Sequence, residues 1–141
     1  MIMAVSQAEQ FCNEKGLRYT EPRAAVLSVI QKSKKPIGAY DVLAQLGDRL
    51  DNPKPPTIYR AIEFWMGHGF VHKIESLNAF VACEAGHAHK GSQFIVCDGC
   101  GAVEEIHLCH LPEALDKKIT ESQFDMTRWS AEIHGLCVKC S

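Results

Sequence analysis

The sequence predicts an α+β fold, in which an N-terminal winged helix-turn-helix domain is followed by a small α/β domain. Two observations lead to this prediction. Residues 1–80 show helical apolar spacing in successive segments and then a short pair of alternating strands. Residues 81–141 contain two Cys-x-x-Cys pairs, a pattern typical of small domains that a bound metal holds together. We predict a first domain at 1–84, a hinge loop at 85–91 and a second domain at 92–141.

The composition of the 141-residue chain narrows the class of protein. Hydrophobic residues make up 46% of the chain, enough for a buried core, and no apolar run approaches the roughly 20 residues of a membrane span. The N-terminal segment lacks the basic flank and apolar stretch of a secretory signal, so we expect a cytoplasmic protein with no membrane partner. In a reducing compartment, the seven cysteines are metal ligands or free thiols rather than disulfides.

The two halves of the chain differ in charge. Residues 1–80 carry ten Lys and Arg against eight Asp and Glu, a net charge of +2. Residues 81–141 carry five against nine, a net charge of −4. A first half that is more basic than the second fits a nucleic-acid-binding domain joined to an acidic one.

Four helices are predicted in the first domain from their end residues and apolar spacing. Gly16 ends the first helix, and Thr20 caps the second, in whose first turn Pro22 is tolerated. Tyr40 is predicted on the apolar face of the third helix, and proline residues separate that helix from the fourth. The predicted helices cover 6–15, from 20 to the basic run at 32–35, 39–50 and 55–68.

The fourth predicted helix is the candidate recognition helix. Its apolar residues recur at helical spacing, which leaves Tyr59 and Arg60 on the outward face. Two alternating segments, 70–75 and 79–84, then predict a hairpin, and this order of elements is that of a winged helix, whose last helix enters the major groove of DNA. An ordinary solvated helix face is the alternative, since tyrosine and arginine are common at surfaces. The candidate DNA contacts are Tyr59, Arg60, Thr57, Arg23, Arg18 and Lys54.

The two Cys-x-x-Cys pairs predict a structural zinc site with four thiolate ligands. Residues 101–136 separate the pairs, so the intervening chain must return to the first pair; we predict a strand at 102–107, a helix at 111–124 and a strand at 126–134. Neither pair has the Trp-Cys-x-x-Cys context of a thioredoxin active site, which argues against a redox function. The predicted ligands are Cys97, Cys100, Cys137 and Cys140.

Further donors lie near the predicted domain boundary, where imidazole, thiolate and carboxylate groups can bind a second borderline-soft divalent metal. Each donor has an ordinary alternative, as a solvated histidine, a small buried cysteine or a free carboxylate. Their grouping at the boundary favours a second site over a scattered set, and His107 and His134 are candidates for a further one. The donors are His72, Cys83, His89 and Glu105, with His87 as a rival to His89.

The motifs LRYTEPR, PPTIYRAIEFWMGHGFVHKIES, CDGCGAVEEI and HGLCVKC together resemble the ferric uptake regulator family, most closely its zinc uptake regulator branch. The resemblance spans nearly the whole chain. It implies a homodimer, in which residues 92–141 form the dimerisation domain, and two zinc ions per chain. One is structural, on the four cysteines, and the other regulatory, on His72, Cys83, His89 and Glu105. It also places the segment with Tyr59 and Arg60 on the family's DNA-contacting motif.

The function that the resemblance implies is zinc-responsive transcriptional repression, in which the dimer binds palindromic operator DNA when the regulatory site is filled and so controls zinc-uptake genes. A thiolate at Cys83 favours zinc over the harder iron and manganese ions. An iron- or other-metal-responsive regulator of the same family and a zinc-stapled protein-interaction module are the alternatives. An enzyme is not expected, because four protein ligands leave zinc no open position for a reacting water.

Overall fold

A computed structural model describes residues 5–47, 49–83, 91–106 and 110–141 of the chain. The chain forms two compact units, Met1–Ala88 and His89–Ser141, called here the N-terminal and C-terminal units. Within the described ranges, every helix is too short or too polar to cross a membrane. The predicted hinge loop lies outside these ranges except for its last residue.

The first helix of the N-terminal unit ends where predicted, although it begins one residue earlier, and the second helix begins after the predicted cap. α1 spans Val5–Lys15 and is followed by Gly16, whose φ of 69° is a left-handed conformation that is costly for residues with a Cβ atom. α2 spans Glu21–Lys32, and the Thr20 hydroxyl before it accepts a hydrogen bond from the backbone N–H of Arg23 at 3.4 Å. The glycine stop and the threonine cap are therefore confirmed.

The third helix, α3, spans Ala39–Leu46, so its predicted extension to Leu50 is wrong. The chain turns there because the backbone N–H groups of Arg49 and Leu50 both donate to the carbonyl oxygen of Leu46. Leu50 still packs, partly buried, against the core. The apolar spacing thus continues beyond the helix, because a residue in the following turn also contributes to the core.

The buried face of α3 includes Leu46, as predicted, but it differs from the predicted face at Tyr40. Ala39, Val42 and Leu46 are buried, whereas the side chain of Tyr40 is 70% exposed. Residues three and four positions apart share one face of a helix, and one step along the chain turns the side chain by about 100°. Tyr40 therefore points away from the face that begins at Ala39, and its predicted place in the core is wrong.

The fourth helix, α4, spans Pro55–Gly67 and is followed by a two-stranded wing. β1 (Val71–Ile74) pairs with β2 (Ala79–Ala82) in antiparallel register, and a short 3-10 turn joins them. In the linker before α3, Ile37 exchanges two backbone hydrogen bonds with Phe80, at 3.0 and 2.8 Å. The unit is therefore a winged helix-turn-helix, as predicted.

The core of the N-terminal unit sets the orientation of α4. One face of this helix buries Ile58, Ala61, Ile62 and Trp65. The indole N–H of Trp65 donates to the carbonyl oxygen of Arg23 on α2 at 2.8 Å, which satisfies a polar group that burial removes from water. Because this face is held against α2, the opposite face of α4 is left to solvent.

The C-terminal unit contains a three-stranded sheet in the order β4-β3-β5 and one described helix. β3 (Gly91–Cys97) is central; it is antiparallel to β4 (Val103–Ile106) and parallel to β5 (Trp129–Gly135). The helix α5 (Glu113–Glu121) lies between β4 and β5 in the chain. The predicted α+β class is confirmed, although β3 was not among the predicted strands.

Candidate metal centre and nucleic-acid interface

The four cysteines of the two Cys-x-x-Cys pairs come together in the C-terminal unit. Cys97 ends β3, and Cys137 follows β5, which runs beside β3 with Gly135 opposite Cys97. All four Sγ atoms, including those of Cys100 and Cys140, lie within 4.8 Å of one another. The parallel pairing of β3 with β5 therefore brings the ends of two segments distant in sequence to one place.

The dimensions of this cluster fit a tetrahedral metal. Zinc–thiolate bonds of about 2.3 Å imply sulfur–sulfur edges of about 3.8 Å in a regular tetrahedron. The Sγ atoms of Cys100 and Cys137 are 3.8 Å apart. Four sulfur donors within 4.8 Å of one another are able to hold zinc and leave it no open coordination position.

Hydrogen bonds stabilise the thiolate form of Cys97, which is the form that binds a metal cation. The backbone N–H groups of Cys137, at 3.3 Å, and of Cys100, at 3.4 Å, donate to the Cys97 Sγ and lower the pKa of Cys97 to about 6. Hydrogen bonds with the other three sulfurs raise the pKa of Cys140 to about 12, and the bond with Cys137 has the largest effect. The pKa rises because a thiol that donates to its neighbours keeps its proton. A divalent metal held by the four sulfurs would displace the thiol protons.

Gly99, which sequence reasoning did not single out, allows the two cysteine pairs to approach. A Cβ atom at Gly99 would lie 3.0 Å from both the Cβ and the Sγ of Cys140 and 3.3 Å from the Leu136 side chain. The signal in the sequence is a glycine between the two cysteines of a Cys-x-x-Cys pair, where a second chain segment must pass close by.

We expect Gly99→Ala to loosen the cysteine cluster. The added methyl group overpacks against Cys140, so the free energy of unfolding should fall by about 1–3 kcal/mol and zinc should leave faster. Denaturant unfolding and zinc release to a chelator measure the two effects. Gly135→Ala is the matched control, since a Cβ atom there meets nothing within 4 Å; equal behaviour of the two variants would contradict a close-approach role for Gly99.

Donors of the second predicted metal site occur in both units. In the N-terminal unit, His72 lies on β1 and Cys83 follows β2, and their ligand atoms are within 4.8 Å of each other. Cys83 is buried, and its backbone N–H donates to the carbonyl oxygen of Phe70 at 2.8 Å. In the C-terminal unit, Glu105 lies half-buried on β4. The loop histidines, His87 and His89, lie outside the described residues, as does His107.

Four of the six predicted DNA contacts lie at or near the start of α4. Tyr59 is 41% exposed, Arg60 is exposed beside it, and Thr57, two residues before Tyr59, is half-buried. Lys54 is exposed at the residue that precedes the helix. The N-terminal unit thus presents an aromatic ring, two cationic groups and a hydroxyl at one end of its last helix.

Arg23 has an internal role that its sequence context did not reveal. Its guanidinium group lies 3.7 Å from the centre of the Phe64 ring, in a cation–π arrangement. One of its nitrogens also donates to the carbonyl oxygen of Arg18 at 2.5 Å. These contacts hold the turn between α1 and α2 against α4, while the Arg18 side chain remains exposed.

Comparison with known proteins identifies the family. The sequence model of the Ferric uptake regulator family matches residues 14–134. The chain belongs to this family. Among ferric uptake regulator family proteins, the Zinc uptake regulation protein of Escherichia coli (strain K12) is 36% identical over 138 residues, with 96% of this chain and 80% of that protein covered. The resemblance predicted from the motifs, to the zinc uptake regulator branch, is confirmed.

Solved structures of this family match the chain along its length. A zinc uptake regulator complexed with zinc and DNA has a TM-score of 0.87 at 34% identity, covering 96% of this chain and 91% of that one. Holo XcZur has a TM-score of 0.83 at 39% identity, covering 96% and 94%, whereas apo XcZur, with the same identity and coverage, has a TM-score of 0.53. The holo and apo forms match this chain with the same identity and coverage but with different TM-scores, so the two forms of XcZur differ in conformation.

Proposed function

We propose that this protein is a zinc-responsive transcriptional repressor, which binds palindromic operator DNA as a homodimer and controls zinc-uptake genes. The observation that carries the proposal is the similarity of almost the whole chain to a zinc uptake regulator complexed with zinc and DNA. The sequence similarity to the Escherichia coli zinc uptake regulation protein and the cluster of four cysteines support the same function.

The start of α4 is the proposed DNA-reading surface. In a helix-turn-helix, residues at the N-terminal end of the last helix meet base edges in the major groove. Arg60 has the paired N–H groups that bind guanine O6 and N7, and Tyr59 has a ring and a hydroxyl for stacking or a phosphate contact. Arg23 retains N–H donors besides the one that binds Arg18. The proposed DNA contacts are Tyr59, Arg60, Thr57, Arg23, Arg18 and Lys54.

One of two proposed zinc ions per chain is structural. The four clustered cysteines, Cys97, Cys100, Cys137 and Cys140, would be its ligands, and the sulfur–sulfur distance of 3.8 Å supports this assignment. A closed set of four thiolates suits a structural role rather than hydrolysis, since a catalytic zinc keeps one position for water. This ion would join the end of β3 to the end of the chain.

The second zinc is the proposed regulator, with His72, Cys83, His89 and Glu105 as ligands and His87 as the alternative to His89. Because these residues come from both units and zinc bonds are only about 2.0–2.3 Å long, a filled site selects one relative orientation of the two units. In a two-fold dimer, this sets the recognition helices about one DNA turn apart, ~34 Å. The different conformations of holo and apo XcZur support such a switch.

Exposed apolar side chains of the C-terminal unit support a homodimer. Every described residue of α5 is at least partly exposed, and Leu115 in this helix is 50% exposed. Ile133 on β5 is 57% exposed, and Phe124 is 68% exposed. Large apolar groups concentrated on one small unit are typical of an association surface, and a second copy of the same unit would remove them from water.

Zinc-dependent binding of DNA tests the proposed function. The full chain, loaded with zinc, should bind a palindromic duplex from a zinc-uptake promoter and lose affinity after mild chelation that removes one zinc per chain. Affinity should fall steeply with salt, because phosphate contacts release counterions. If iron restored binding and zinc did not, the iron-responsive alternative would hold. Undiminished binding by the chelated protein would rule out metal regulation altogether.

We expect Cys83→Ser to remove most of the zinc response while the protein stays dimeric. Serine is a poor zinc ligand, so the enhancement of DNA affinity by zinc, about 5- to 150-fold for coupling of ordinary strength, should largely disappear. Measuring DNA affinity at a series of free zinc concentrations gives this enhancement. Cys12→Ser is the matched control, because it makes the same change at a buried cysteine of the N-terminal unit that is not a predicted ligand. A normal zinc response in Cys83→Ser would exclude Cys83 as a regulatory ligand.

A further inference from the structure

His134 lies between two carboxylates beside the cysteine cluster. Its Nδ1 atom is 3.0 Å from Asp98 Oδ1, and its Nε2 atom is 3.3 Å from Glu132 Oε1. Asp98 stands inside the first cysteine pair, between Cys97 and Cys100, whereas Glu132 and His134 lie on β5. The imidazole ring therefore connects the turn of the first pair with the strand that leads to the second.

Carboxylate oxygens accept hydrogen bonds, so a ring nitrogen of His134 donates to its carboxylate when it carries a proton: one nitrogen does so in the neutral ring and both do so in the imidazolium form. A second hydrogen bond joins Asp98 to the same strand as His134: the backbone N–H of Asp98 donates to the carbonyl oxygen of Gly135 at 2.8 Å. One side-chain bond and one backbone bond thus fasten the same residue to the end of β5. Two attachment points restrict rotation of the turn, which a single hydrogen bond would permit.

Because of its position in the sequence, Asp98 links the hydrogen bond from His134 to the sulfurs of the first cysteine pair. The residue lies next to Cys97 and two residues before Cys100, so a movement of its backbone displaces the sulfurs of the first pair. The side chains of Asp98 and His134 are 59% and 36% exposed, and exposed ion pairs add little to folding stability. The consequence of the contact is therefore expected in the geometry of the metal ligands, not in the stability of the fold.

We propose that His134 is a positioning residue of the structural metal site: by holding Asp98 through its Nδ1 atom, it keeps Cys97 and Cys100 aligned and slows release of the metal. The inference rests on the proposed zinc at the four cysteines. Hydrogen-bonding groups behind metal ligands commonly change metal affinity by 10- to 100-fold, and an indirect contact of this kind belongs at the lower end of that range.

Two substitutions separate the two contacts of His134. The side-chain amide nitrogen of asparagine lies near the position of the histidine Nδ1 atom, whereas that of glutamine lies near Nε2. His134→Asn therefore preserves a donor toward Asp98, and His134→Gln preserves one only toward Glu132. The full-length protein, first treated with a mild chelator to remove the loosely held zinc, is mixed with a strong chromogenic chelator, and release of the remaining zinc is followed.

We expect His134→Gln to release zinc about tenfold faster than the unaltered protein, and His134→Asn to remain within about twofold of it. Asp98→Ala should match His134→Gln, and Glu132→Gln should have little effect. In the cobalt(II)-substituted protein, the thiolate-to-metal absorption band should change in His134→Gln and Asp98→Ala only, while far-UV circular dichroism is the same for all variants.

Equal release rates for His134→Asn and His134→Gln, whether fast or slow, would overturn the inference, because a general structural role does not distinguish the two nitrogens. That result, with zinc bound to the unaltered protein, leaves the proposed function standing. If the unaltered protein held no zinc at its cysteines, the inference and the proposed structural zinc would fall together.

Discussion

Cys140→Ser is expected to unfold the C-terminal unit and dissociate the dimer. The described core of this unit is thin: within 92–106 and 110–141, the buried residues are Gln93, Phe94, Val96 and Cys97. A structural zinc contributes about 10–16 kcal/mol in small zinc-binding domains, as much as the whole stability of an ordinary domain, about 5–15 kcal/mol. Losing one of four thiolates should therefore cost the unit most of its folding free energy. Zinc content, far-UV circular dichroism and sedimentation equilibrium measure the three consequences.

Val138→Ser is the control for this prediction. Val138 lies between the two cysteines of the second pair, and its side chain is 90% exposed. The substitution changes the same short segment without removing a sulfur, so zinc content and dimerisation should be unchanged. A Cys140→Ser protein that stayed folded and dimeric would contradict a structural role for the cysteine cluster.

Arg60→Ala is expected to abolish specific operator binding without changing zinc content. An arginine that binds one base with two hydrogen bonds contributes about 1–3 kcal/mol, and a two-fold dimer loses two such contacts. The dissociation constant for the operator should therefore rise at least about 30-fold, and binding to unrelated duplexes should change much less. Gel-shift titrations with the operator and with an unrelated duplex, at one stated salt concentration, give the ratio of the two dissociation constants.

Arg128→Ala provides the matched charge control for Arg60→Ala. Arg128 is an exposed arginine of the C-terminal unit, so the variant loses the same positive charge away from α4. Its operator affinity should stay close to that of the unaltered protein. A similar loss in both variants would mean that Arg60 acts through net charge, and would remove the basis for assigning it to base recognition.

Much of the N-terminal unit could be predicted because its signals are local. The cap at Thr20 and the stop at Gly16 depend on the chemistry of single residues, and both occur as predicted. The α3 prediction failed where two apolar faces were available: the spacing from Tyr40 to Leu50 and the spacing from Ala39 to Leu46 are both helical. Packing against neighbouring helices, which periodicity does not contain, placed Ala39 in the core and left Tyr40 exposed.

The sequence by itself determined the residue types of the candidate metal centre, the order of elements in the winged helix and the family. Four cysteines in two pairs specify the donors, since thiolates suit zinc wherever the chain brings them together. Tertiary structure alone decided the rest: the pairing of β3 with β5 that gathers the sulfurs, the close approach of Gly99 to Cys140 and the link from His134 to Asp98. These features join residues more than thirty positions apart, and distances between such residues follow from the path of the folded backbone, which short-range sequence patterns do not encode.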